Sequence, residues 1–121
     1  MALHNELGKH GESIAKTYLE DAGFEILDEN WTHGKAEIDL IAYKEGLMVF
    51  VEVKARSSVA FGQPEEFVHT AKQKQLESAS LAYIELMNHQ NEIRFDIIAI
   101  TFTKDNHYTL NHIEDAFWPE D

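Results

Sequence analysis

Apolar residues recur along this chain with two distinct periods, and the switches between them mark its elements. Leu7, Ile14, Ala15, Tyr18, Leu19 and Ala22 fall at helical spacings, which predicts a helix over about Glu6–Ala22. Gly23 is a natural C-terminal stop. Phe24–Leu27 then reads as a short strand, interrupted by the polar run Asp28-Glu29-Asn30. Ala36–Tyr43 alternates with period two, placing Ile38, Leu40 and Ala42 on one face and Glu37, Asp39, Ile41 and Tyr43 on the other. After the turn Lys44-Glu45-Gly46 the alternation resumes over Leu47–Lys54. Leu47, Val49, Val51 and Val53 share one face there; Met48, Phe50, Glu52 and Lys54 share the other. Two such runs joined by a tight turn predict an antiparallel hairpin.

Residues 55–63 read as a loop, and Pro64 suits the first turn of a helix, where its missing N–H costs nothing. From about Glu65, Val68, Ala71, Gln75, Leu76, Ala79, Ala82, Tyr83 and Leu86 mark an amphipathic face. Glu92–Phe102 is a long apolar strand expected to be buried on both faces, and Tyr108–His112 a weaker edge strand. The order α-β-β-β-α-β-β predicts an α/β sandwich with a mixed central sheet flanked by helices. With no repeat, linker or low-complexity tract, residues 1–121 are expected to form a single domain.

Composition narrows the chemistry. The chain is 44% apolar and 11% aromatic, enough for one core. It has no cysteine, which excludes disulfides, thiolate zinc sites and cysteine nucleophiles. The N-terminus lacks a signal-peptide pattern, and no apolar run approaches the ~18 residues of a membrane helix. A cytoplasmic protein with no membrane partner is expected. Ten Lys and Arg against 22 Asp and Glu leave a net charge of −12, which works against binding a polyanion. The charge is uneven, however. Between Lys54 and Lys74 stand Lys54, Arg56, Lys72 and Lys74 against only Glu65 and Glu66, whereas the segment from Asp105 to the end holds five acids and no Lys or Arg. A local basic rim on an acidic body is therefore expected.

The chemically informative stretch is Glu37-Ile38-Asp39-Leu40-Ile41-Ala42 followed by Val49-Phe50-Val51-Glu52-Val53-Lys54. Glu52 and Lys54 leave the same face of their strand, and a hairpin turning at Glu45-Gly46 sets Asp39 opposite Glu52. Two carboxylates and an amine would then converge within strongly apolar strands. Carboxylates so placed are costly unless paired or metal-bound. They suit Mg²⁺ or Mn²⁺, with Asp39 and Glu52 as oxygen ligands and Lys54 beside them, the equipment for hydrolysing a phosphodiester. The plainer alternative is a cross-strand ion pair between Asp39 and Lys54. His4, His10, His33, His69, His89, His107 and His112 show no metal-ligand spacing and read as surface or loop residues, with His33 and His69 in reach of the site. Trp31 and Trp118 read as core or cover residues, and Gly8-x-x-Gly11 is too weak a signal for phosphate binding.

The segments Gly8–Ala15, Tyr18-Leu19, Ala36–Ala42, Val51–Arg56 and Phe61-Gly62 resemble the bacterial YraN-like family, over nearly the whole chain and in the same order. That family is assigned to the PD-(D/E)XK nuclease superfamily, akin to archaeal Holliday junction resolvases. The resemblance implies a restriction-endonuclease-like core and a Mg²⁺-dependent endonuclease acting on DNA, branched or damaged. It puts the superfamily's metal-binding Asp at Asp39, its (D/E)XK element at Glu52-Val53-Lys54 and the helical acid of resolvase-like members at Glu12. It also suggests Lys72 and Gln75 as polar site residues on the following helix; the uneven charge adds Arg56 and Lys74 as expected contacts to nucleic acid. One departure is Ala36, where the family usually has Gly. Duller readings stand beside these: Glu12 as a solvated helix acid, Gln75 as a buried amide, Arg56 and Lys72 as surface bases. Competing functions are a non-catalytic nucleic-acid-binding module and a protein-interaction module of nuclease descent, and self-association into a homodimer is left open.

Overall fold

The computed structural model describes residues 2–57 and 70–118. Helix α1 (Ala2–Asp21) leads into β1 (Glu25–His33), β2 (Ala36–Lys44) and β3 (Leu47–Ser57); α2 (Thr70–Met87), β4 (Ile93–Phe102) and β5 (Tyr108–Ile113) follow. The predicted helical start near Glu65, with Pro64, Val68 and His69, lies outside the described residues. The strands form one sheet in the order β1-β2-β3-β4-β5. All neighbours are antiparallel except β3 and β4, which run parallel. A parallel pair needs a crossover, and α2 lies within it.

Each face of the sheet carries its own core. On one side Ile38, Ile41, Met48, Phe50 and Phe95 pack with Leu76, Ala79 and Tyr83 of α2. On the other Leu40, Ala42, Val49, Val51, Ile98 and Ile100 pack with Ala15 and Leu19 of α1. β4 lies inside the sheet between β3 and β5 and is buried on both faces from Phe95 to Ile100, as its composition predicts. Gly11 lets α1 approach closely: a Cβ there would stand 2.8 Å from the Cβ of Ala55. Gly23, at φ +96°, ends the helix in the left-handed region.

Three expectations are corrected. β1 does not stop at Leu27; it continues through Asp28-Glu29-Asn30 to His33, with a register shift between Ile26 and Asp28. An edge strand tolerates these polar residues because one of its sides faces solvent. In β2, Ala36 and Ile38 pack with Ile41 on the α2 face instead of with Leu40 and Ala42, so strict alternation fails around Asp39. In α2, Leu76, Ala79 and Tyr83 are buried as predicted, but Gln75 and Leu86 are exposed and Ser80 is buried, so the flanks of the predicted face differ.

Candidate active site

The β2–β3 ladder runs from Lys44↔Leu47 to Leu40↔Val51. One further step would pair Asp39 with Glu52, as the hairpin argument requires. There the pairing ends: the Val53 amide donates to Asp39 Oδ2 at 2.8 Å. A carboxylate has replaced a backbone carbonyl as acceptor, and the two strands part at this point. Asp39 and Glu52 are both buried, 8% and 5% exposed, inside otherwise apolar strands.

Lysines from two elements meet this pair. Lys72 of α2 donates to Glu52 Oε1 at 2.6 Å. Lys54, two residues along β3, lies 3.7 Å from the same oxygen. The other oxygen, Glu52 Oε2, is buried with no hydrogen-bond partner. An unsatisfied buried carboxylate oxygen is costly, and it marks a position where a cation or donor would be bound favourably.

The electrostatics agree. Burial, and then the Glu52 charge, push the Asp39 carboxyl up to about 8; the Val53 hydrogen bond and Lys72 only partly oppose this. Burial holds the Lys54 amine below the ordinary lysine range, and neighbouring Lys72 adds to the effect, against the attraction of Glu52. Burial acts the same way on Lys72, but its hydrogen bond and attraction to Glu52 prevail and raise it.

Glu12 reaches the site from the other side of the sheet, on α1. Its carboxyl is raised by burial, against a hydrogen bond with the Asn30 side chain, and is raised further by Glu37, Glu52 and Glu29. The opening between β2 and β3 is thus where a helix on each face sends charge toward the same carboxylates. A cleft of about 500 Å³ opens beside Asp39, lined by Lys35, Ala36, Glu37, Lys72, Gln75 and Leu76.

Of the suggested nucleic-acid contacts, Lys72 bonds a candidate catalytic carboxylate directly and Gln75 lines the cleft. Arg56 lies further along β3, opposite Thr101 of β4. Lys74 is exposed, about 200° round the helix from Lys72, so the two do not share a rim. Glu114 is remote, paired at 3.5 Å with Arg94 near the start of β4. Asp105 lies at the same end of the sheet as Arg56 and Ser57, because β3 and β4 run parallel. Lys35, Glu37 and Asn30 were not assigned to the site from the sequence; Lys35 and Glu37 line the cleft, and Asn30 meets Glu12 through the β1–β2 hairpin.

A second buried carboxylate, Asp96 of β4, is fully satisfied. It accepts from Arg94 at 2.8 and 2.9 Å, lies 2.7 Å from His112 Nε2 and accepts from the Asp115 amide at 3.0 Å. His112 is therefore not a surface or loop residue; it sits in β5 with its side chain 8% exposed. The contrast is informative: one buried aspartate is pinned by cations and donors, while the Asp39–Glu52 pair keeps an oxygen unpartnered.

Fold and site define a class: a mixed α/β domain whose sheet opens at a buried Asp–Glu pair flanked by two lysines. More narrowly, the chain belongs to the family described as "Uncharacterised protein family UPF0102", whose profile matches residues 11–100. It is 48% identical over 118 residues to the UPF0102 protein of Flavobacterium psychrophilum, covering 98% of each chain. It is 45% identical over 119 residues to that of Bacteroides thetaiotaomicron, again covering 98% of each. A relative from Rhodococcus opacus is 39% identical over 118 residues, covering 97% of this chain and all of its own. Among the described residues, no helix is long and apolar enough to cross a membrane.

Proposed function

We propose that this protein is a divalent-metal-dependent endonuclease with a restriction-endonuclease-like core, which hydrolyses DNA phosphodiester bonds and acts on branched or damaged DNA. The observation that carries the reading is the unpartnered, buried Glu52 Oε2 beside the desolvated Asp39 carboxyl. Both are hard oxygen donors, the kind Mg²⁺ or Mn²⁺ takes, so the residues present fit such an ion. When bound, the ion would activate water and offset charge developing at phosphorus. Asp39 and Glu52 would hold it; the Val53 amide fixes the Asp39 carboxylate in place. The Lys54 amine faces the reacting phosphate, orients water and stabilises developing charge. Lys72 restrains the Glu52 carboxylate through Oε1, leaving Oε2 for the metal. Lys35 and Gln75 receive the phosphate's oxygens in the cleft.

The local acids Glu12 and Glu37 favour a second reading, a protein-interaction module that keeps the fold without cutting. An assay on branched, single-stranded and duplex DNA with Mg²⁺ or Mn²⁺ separates the two. The enzyme reading expects cleavage that Glu52→Ala and Asp39→Asn abolish. No cleavage of any substrate by the intact chain, or cleavage that survives both substitutions, rejects it.

A further inference from the structure

Next to the cleft, on β1, stands a pair of parallel aromatic rings. Trp31 and His33 are two residues apart, so both side chains leave the same face of the strand. Their ring planes lie 4° from parallel with centroids 6.0 Å apart. Trp31 is half-buried against the α2-side core, and Tyr83 meets its ring edge-on at 5.0 Å. Tyr83 is itself held by its hydroxyl, which donates to Asp28 at 2.7 Å. The inner ring is therefore immobilised, while His33 is exposed. The register aligns Trp31 with Ile38 and His33 with Ala36. Ala36, Lys35 and Asp39 line the cleft, so the ring pair borders it.

We infer that His33 and Trp31 form a stacking platform for an unpaired nucleobase, so that the strand entering the site is single-stranded or locally frayed. The inference rests on the nuclease reading and names the substrate class that this site takes. Charge supports it from a second direction. The site is bordered by Glu12 and Glu37 on a chain of net charge −12, a poor surface for the dense phosphates of a duplex. Stacking on an aromatic face does not depend on neutralising phosphate and accepts any base. One cleft lysine, Lys35, together with the Gln75 amide of the same cleft, suffices for the one or two phosphates next to a stacked base, since Lys72 is held by Glu52.

The test uses the full chain carrying Trp118→Phe, so that Trp31 is its only tryptophan. Trp31 emission is titrated with a short oligothymidylate and with a duplex of equal length, in EDTA to prevent cleavage. The expected result is quenching by the single strand at concentrations on the order of tenfold lower than by the duplex. His33→Ala should weaken single-strand binding by about the same factor, and His33→Phe should restore it. Because His33 is exposed, thermal melts of both variants should match the parent. Equal affinity for single strand and duplex, or His33→Ala binding like the parent, overturns the inference. The outcomes stay separate from those for catalysis: Glu52-dependent cleavage without stacking rejects the platform alone, and stacking without any cleavage rejects the nuclease reading alone.

Discussion

Asp39 Oδ2 takes the Val53 amide at 2.8 Å, and with that bond the β2–β3 ladder gives way to a fork. A side-chain acceptor satisfies the backbone donor that an ordinary ladder would have paired, so the strands separate without stranding that N–H in the interior. The separation leaves room for Glu52, Lys54 and Lys72 to meet beside Asp39. The acid that would ligate a metal also creates the space for it.

The same burial makes Asp39 a liability to the fold. Its carboxyl is raised from an ordinary 3.8 to about 8, so between those limits the native state binds more protons than the unfolded chain. Asp39's contribution is therefore fully present below about pH 4 and is lost as pH rises through 8. Asp39→Asn should abolish activity yet raise stability at pH 8 by on the order of 2 kcal/mol, with less gain at pH 5, because the amide oxygen can still accept from Val53. Urea unfolding at the two pH values measures it; equal or lower stability of the variant at pH 8 refutes the assignment.

Asp96 has the opposite sign. Burial alone would raise its carboxyl, but His112, Arg94 and the Asp115 amide together hold it below the ordinary range. Its contribution is present above the unfolded-state value and disappears as pH falls through the lowered folded one. Asp96→Ala leaves Arg94 and His112 facing an empty position and should cost about 3–5 kcal/mol at neutral pH. Acid unfolding followed by circular dichroism should show the variant losing less on acidification than the parent does.

Gly11 sets two effects against each other. Alanine is the better helix former by about 1 kcal/mol. Its Cβ would stand 2.8 Å from that of Ala55, against strand backbone that has little freedom to move. Overpacking of this kind costs about 1–3 kcal/mol, so Gly11→Ala should destabilise on balance. Adding Ala55→Gly should recover part of the loss. Thermal melts of the single and double variants decide the matter, and a stabilised single variant would mean that α1 can shift away.

Lys72→Ala removes the short contact to Glu52 Oε1 and leaves Lys54, at 3.7 Å, as the nearer remaining cation. Because the Lys72 ammonium is partly exposed, water screens the loss, and about 1 kcal/mol of destabilisation is expected without divalent ions. Millimolar Mg²⁺ should stabilise the variant more than the parent, since it offsets the same charge. Differential scanning calorimetry with and without Mg²⁺ tests this; an identical Mg²⁺ response in both proteins counts against metal binding at Glu52.

The sequence by itself determined the elements whose pattern is carried by near neighbours. Period-two alternation marked β2 and β3, helical spacing and Gly23 marked α1 and its end, and the i, i+2 relation put Glu52 and Lys54 on one face. The turn at Glu45-Gly46 was enough to set the register from Lys44↔Leu47 to Leu40↔Val51, one step short of Asp39 and Glu52, because hairpin register follows from chain geometry. Tertiary structure decided what depends on distant partners. β1 continues through Asp28-Glu29-Asn30 because it pairs with β2 at the sheet edge. Ile38 faces α2 because the chain changes course at Asp39. Lys72 meets Glu52 only because α2 lies across that face of the sheet. His112 became an interior residue because Asp96, sixteen positions away, needed a partner on the neighbouring strand. Such pairings depend on the free energy of burying charge in a particular place, and that place exists only once the sheet and both helices have assembled.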